Sequence, residues 1–273
     1  MFLAVLAAFP LGYTIWTSGL NRPVSVGASR YVGLLNYRLV LTDPAFWGAI
    51  WFTLRYMLVV TSVELLLGTL LALMFDRMFP GKRFFFSALL IPIMTAPVLM
   101  GVAFELLLNG DIGAVPDFLG RIGIHVSLFA PGSVQALMMV LDIVQWTPFV
   151  FLIVYSALQT VPNELYEAAE VDGGRYWKIV WTVVIPLIRP VIFVGLFLRA
   201  INAFRTFDVI YVLTGGGPGT LTTTASIYVY KQAFVSGQFG QAAASSLLIA
   251  ALLLPLLPLL VPRIVEAQLK TGS

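Results

Sequence analysis

Pro162-Asn163-Glu164-Leu165-Tyr166-Glu167-Ala168-Ala169-Glu170-Val171-Asp172-Gly173-Gly174 is a polar stretch set between two long apolar ones. It holds four of the thirteen acidic residues (Glu164, Glu167, Glu170 and Asp172) in a chain that is 59% hydrophobic. Its local signals predict a short helix. Pro162 suits a first turn, where a missing N–H costs nothing. Glu164 lies near the positive end of the helix dipole, and Gly173-Gly174 is a C-terminal stop signal. A helix of roughly eleven residues is about 16 Å long, too short and too polar to cross a bilayer. It is expected at the membrane surface, facing a partner outside the membrane.

The rest of the chain is what makes that stretch an anomaly. A mean hydropathy of +0.94, 11% charged residues and 20 Phe indicate an integral membrane protein. There is no cysteine, which excludes disulfides and thiolate metal sites. The single histidine, His125, leaves little room for a multi-His metal site or His-based catalysis, so no metal site and no enzymatic centre are expected. The net charge of +3, with no basic stripe, gives no reason to expect nucleic acid.

Six apolar stretches are long enough for about 30 Å of hydrocarbon: residues 2–20, 47–75, 84–108, 133–158, 185–204 and 242–261. The expected fold class is therefore an all-α integral membrane protein, a single transmembrane domain over 1–273, with a short surface helix inside the 162–184 connection, between the fourth and fifth spans. The first stretch lacks a basic n-region and a small-residue cleavage site. It is read as a span, which leaves room for a basic leader upstream of Met1. Pro92 and Pro97 are expected to kink the third span. Phe84, Phe85 and Phe86 read as an interfacial anchor, and His125 as a solvated loop side chain.

Orientation follows from Lys and Arg near the span ends. With the acidic stretch inside, Arg77, Lys82, Arg83, Arg175, Lys178, Arg189, Arg263 and Lys270 are inside, eight against five outside (Arg22, Arg30, Arg38, Arg121, Lys231). Both termini are then cytoplasmic. Charges at membrane depth cost about 2.5–3.5 kcal/mol each on insertion scales and need partners or water. Glu64, Asp142 and Arg199 fall deep within spans. One reading pairs Arg199 with Glu64 or Asp142 to fix packing. The other lines a solute pathway with Glu64, Asp142, Gln145, Trp146, Asn202, Phe204 and Arg205.

The spacing Glu167-Ala168-Ala169-x3-Gly173-x9-Val183-x-Ile185-Pro186 resembles the EAA signature, EAA-x3-G-x9-I-x-L-P, of permease subunits of bacterial binding-protein-dependent ABC importers. Val183 and Ile185 are conservative departures. The longer run through Asp172, Gly174 and Trp177 is similar to the carbohydrate-uptake, maltose-transporter-like branch, which more often has Ala at the Gly174 position. Gly33-Leu34-Leu35-Asn36-Tyr37, Trp146-Thr147-Pro148-Phe149 and Phe207-Asp208 through Pro218 extend the likeness over nearly the whole chain. The resemblance implies that Glu167, Ala168, Ala169, Asp172 and Gly173 form a coupling helix docking on a cytoplasmic ATPase dimer. It further implies a second permease, a different chain, and an extracytoplasmic substrate-binding protein for a sugar-like solute. Thr214, Gly215, Gly216, Gly217 and Pro218 are candidates for contacting that binding protein. No GxxxxGK[ST] occurs, so ATP and Mg are expected on the ATPase and no cofactor on this chain, which would sit as a multi-pass subunit in the bacterial inner membrane. The competing expectation is a stand-alone secondary transporter coupled to ions through Glu64 and Asp142.

Overall fold

A computed structural model describes residues 2–21, 29–77, 79–110, 112–123, 127–171 and 173–254. The helices are α1 (Phe2–Ser18), α2 (Leu35–Thr42), α3 (Pro44–Asp76), α4 (Lys82–Met94), α5 (Pro97–Leu108), α6 (Ala114–Arg121) and α7 (Val134–Leu158). They continue as α8 (Asn163–Val171), α9 (Tyr176–Ile179), α10 (Ile185–Phe204), α11 (Asp208–Thr214), α12 (Ala225–Tyr230) and α13 (Phe239–Leu253). The all-α expectation holds apart from two-residue strands, β1 (Leu20–Asn21) and β2 (Arg30–Tyr31), paired antiparallel.

The helix ends follow local chemistry. Asp43 caps α3 by accepting from the Ala45 amide at 2.8 Å, with Pro44 in the first turn. The 33 residues of α3 make a rod of about 50 Å, longer than a bilayer core. Pro44–Asp76, Val134–Leu158 and the run Tyr176–Thr214 are each long and apolar enough to cross a membrane. α1 and α13 are shorter, 17 and 15 residues, and the last residues of the stretch 242–261 lie outside the described residues.

Two expectations change. The third stretch, 84–108, is broken rather than kinked: α4 and α5 meet at 98°, with Thr95 and Ala96 extended between them. Pro97 disfavours helical geometry at Ala96, and Pro92 weakens the last turn of α4. The fifth stretch, 185–204, begins earlier, since helix starts at Tyr176 and takes up the last nine residues of the expected 162–184 connection. No Gly or Pro interrupts residues 176–185. Pro186 has no amide to donate, and the turn before it widens into a π turn, Val180–Val184, in which the Ile185 amide reaches the Val180 carbonyl.

α3 packs along α7 at the centre of the molecule. A Cβ on Gly68 would lie 2.8 Å from Val150 Cγ1 and 2.9 Å from the Phe151 amide, so glycine permits the close crossing. Gly68→Val is expected to cost about 1–3 kcal/mol by overpacking, read as a lower thermal midpoint in detergent; an unchanged midpoint contradicts this crossing. Towards one end of the pair, Phe75, Phe151, Val154, Val180 and Val184 form an apolar core. Phe86 belongs to that core, 5.6 Å ring to ring from Phe151, while Phe84 and Phe85 stay exposed as an anchor would. Towards the other end, Tyr56, Met138, Leu141, Ile210 and Ile227 form a second core.

Candidate functional site

Between the two cores sits an ionic knot. Glu64 of α3, Asp142 of α7 and Arg199 of α10 are all buried. The Arg199 guanidinium donates to Glu64 through Nε at 2.6 Å and Nη2 at 2.8 Å, and Nη2 also bonds Asp142. One cation thus ties three long helices together, and it pairs with both acids rather than one. The bidentate fork is the geometry that recovers most of the desolvation cost. The Arg199 guanidinium also stands 5.1 Å from the Trp146 ring centroid.

Beside the knot opens a cavity of about 310 Å³, walled by α7, the end of α10 and the break before α11. Of the candidate pathway residues, Asp142, Trp146, Asn202 and Arg205 line it. Glu64, Gln145 and Phe204 are buried outside its wall. Gln145 donates to the Thr95 carbonyl at 3.4 Å, at the α4–α5 break. Phe204, the last residue of α10, is buried and does not reach the cavity. With Arg199, the residues Pro97, Thr206, Phe207, Asp208 and Val209 complete the wall. These were missed because a helix break, not an apolar run, brings them there; the charge pair around Thr206-Phe207 was the available signal. Thr224 Oγ1 donates to the Thr206 carbonyl at 3.1 Å and caps α12 by accepting from the Ile227 amide, pinning that wall.

The polar stretch forms α8, none of whose side chains is buried. Glu164, Glu167, Ala168 and Val171 face outward, whereas Tyr166 and Ala169 are half-buried against the neighbouring core. Ala169 therefore packs inward, and only Ala168 thins the outer face. Asp172 lies outside the described residues, as does His125. Gly173 adopts φ +78°, where a side chain is strained. The Gly173 and Gly174 amides close α8 onto Glu170 and Ala169 carbonyls, each at 2.9 Å. A Cβ on Gly174 would stand 2.7 Å from the Ala169 carbonyl oxygen, so this chain needs glycine where the branch more often has Ala.

The base of α8 is tied to the α3–α4 turn. Gln159 donates to Asp76 at 3.3 Å, and Arg77 stacks 3.7 Å over the Tyr176 ring. Burial first, then the Asp76 charge, pushes the Tyr166 phenol up to about 12, so it stays protonated near neutral pH. A cavity of about 730 Å³ lies between these residues.

The third candidate, Thr214 to Pro218, is a locked stem rather than a free tip. Thr214 Oγ1 and Thr222 Oγ1 are 2.8 Å apart, and Thr222 and Thr223 hydroxyls donate to Gly217 and Gly216 carbonyls at 2.8 and 2.9 Å. Among those five residues only Pro218 is exposed; the exposed tip runs from Pro218 to Leu221. Earlier in the chain, Asn36 of the Gly33–Tyr37 stretch is buried and donates to Ser18 and Leu20 carbonyls at 2.8 and 2.9 Å.

Residues 64–269 match the model of a family described as the inner membrane component of binding-protein-dependent transport systems. The trehalose/maltose transport system permease protein MalF of Thermococcus litoralis is 34% identical over 253 residues, 92% of this chain and 85% of the relative. The sn-glycerol-3-phosphate transport system permease protein UgpA of Agrobacterium fabrum is 31% identical, over 94% and 88% of the two chains. A crystal structure of a bacterial alginate ABC transporter, in complex with alginate pentasaccharide-bound periplasmic protein, shares the fold. Its TM-score is 0.74 at 22% identity, covering 87% of this chain and 82% of that one. The chain accordingly belongs to the inner membrane components of binding-protein-dependent transport systems and is a permease subunit of such an importer.

Proposed function

We propose that the chain forms half of the translocation pathway of an ATP-driven importer, its six apolar stretches spanning a bacterial inner membrane with both termini inside. α8 docks on a cytoplasmic ATPase dimer, which holds the ATP and Mg. The cavity beside Arg199 is part of the solute route, shared with a second, different permease. An extracytoplasmic binding protein delivers the solute at the Pro218–Leu221 tip, and the names of relatives favour a sugar or sugar-like solute.

The observation that supports this most is α8 itself. A nine-residue helix with three glutamates and no fully buried side chain packs only Tyr166 and Ala169 against its own core and presents the opposite face to be covered. Its acidic face disfavours an anionic lipid surface and suits Arg or Lys across a protein contact. When the ATPase pair closes, a rod fixed at Gly173 and at the Asp76–Gln159 contact carries α3, α7 and α9 with it. The secondary-transporter reading is weakened, because Arg199 occupies both Glu64 and Asp142 and Glu64 does not reach the cavity.

The cysteine-free sequence gives a direct test by single thiols. Ala168→Cys is expected to crosslink to the ATPase through a short bifunctional reagent, and Ala169→Cys, facing inward, to do so several-fold less. Equal labelling of both, or none of either, contradicts docking through this face.

A further inference from the structure

We propose that the cavity beside Arg199 selects an uncharged, hydroxyl-rich solute over an anionic one, with Arg205 and Asp208 as the discriminating pair. The inference rests on reading that cavity as the solute route. The cavity wall carries two cations, Arg199 and Arg205, and two acids, Asp142 and Asp208. The Arg199 guanidinium is already divided between Asp142 and Glu64, so it has no charge to spare for a ligand. Arg205 forms no ion pair within 4.0 Å among the described residues, but Asp208 lines the same cavity three residues on.

The charges that this chain places on the wall sum to zero. With Glu64 behind Arg199 counted as ionised the sum is minus one, and with Glu64 protonated it stays at zero. In neither case does this chain's side of the route supply surplus positive charge to offset the desolvation of an anion entering a confined site. What the wall does offer is a mixed set of hydrogen-bonding groups. Arg205 brings donors only, Asp208 acceptors only, and Asn202 both, while the Trp146 ring supplies a flat apolar face. Adjacent donors and acceptors around an indole match the alternating hydroxyls and apolar ring face of a neutral sugar or polyol. The family itself leaves the choice open, since relatives are named for trehalose/maltose and for sn-glycerol 3-phosphate.

The test uses proteoliposomes holding the assembled importer with its binding protein. Uptake is measured for neutral probes (maltose, trehalose, glucose, glycerol) and anionic ones (sn-glycerol 3-phosphate, glucuronate). Wild type is expected to carry its best neutral probe at least about tenfold faster than either anion. Asp208→Asn, which adds one net positive charge to the wall, is expected to shift that ratio towards the anions by about threefold or more. An anion carried as fast as the best neutral probe, no neutral probe carried, or a ratio unmoved by Asp208→Asn overturns the proposal. Arg205→Ala and Trp146→Ala separate the layers. If both leave every rate at wild type, the cavity is not the route; if both reduce uptake while anions are preferred, only the charge selection fails.

Discussion

Arg199→Met is expected to destabilise the permease by about 3–5 kcal/mol, the cost of stranding buried charge. The substitution keeps most of the side-chain volume but leaves Glu64 and Asp142, 0% and 4% exposed, without a cation. Against a net stability of about 5–15 kcal/mol for a folded domain, that is a large fraction. The measurable result is a strongly lowered thermal midpoint in detergent and reduced steady-state level in the membrane. Removing the whole knot, as Glu64→Gln with Asp142→Asn and Arg199→Gln, is expected to recover most of that loss, because no unpaired charge remains. Arg199→Met with wild-type stability would show that the knot is not structural, and a triple variant no better than the single one would point to lost packing instead.

The second large effect is functional. Glu167→Lys reverses the charge at the centre of the outer face of α8, and Gly173→Asp puts a side chain where the backbone is left-handed, φ +78°. Neither position is buried, and no atom lies within 4 Å of the site of a Cβ on Gly173, so the cost to the fold is confined to strain of about 1 kcal/mol at Gly173. Both variants are expected to insert normally and to lose transport by an order of magnitude or more, with weakened retention of the ATPase on purification. Normal transport in both would remove α8 from the coupling mechanism.

Legibility in the sequence followed the range of the forces involved. α8 was readable because capping, dipole and stop signals are local, and Pro162, Glu164 and Gly173 all point the same way. The long helices were readable because apolar length is a one-dimensional property, and α3 and α7 differ from their expected limits by three residues or fewer. The early start at Tyr176 was hidden, because the polar Arg175–Lys178 segment looks like loop by hydropathy while containing nothing that stops a helix. The knot was half visible. Charge deep in a span demands a partner, but that one guanidinium serves two carboxylates is a matter of three-helix geometry that spacing does not encode. The same holds for Gln145 and Phe204, which sit beside lining residues in sequence yet turn into the packing. The cavity's remaining wall, Thr206 to Asp208, depends on a helix break with no Gly or Pro to announce it.

An ATP-driven importer built on this chain takes up solute only when another subunit hydrolyses ATP, and that dependence is directly measurable. Proteoliposomes are prepared with the assembled importer, its ATPase either wild type or blocked in hydrolysis, and with or without an ionophore that collapses ion gradients. Blocking hydrolysis is expected to reduce uptake to background, and the ionophore to leave it unchanged. Uptake that survives blocked hydrolysis and collapses with the ionophore would contradict ATP-driven import.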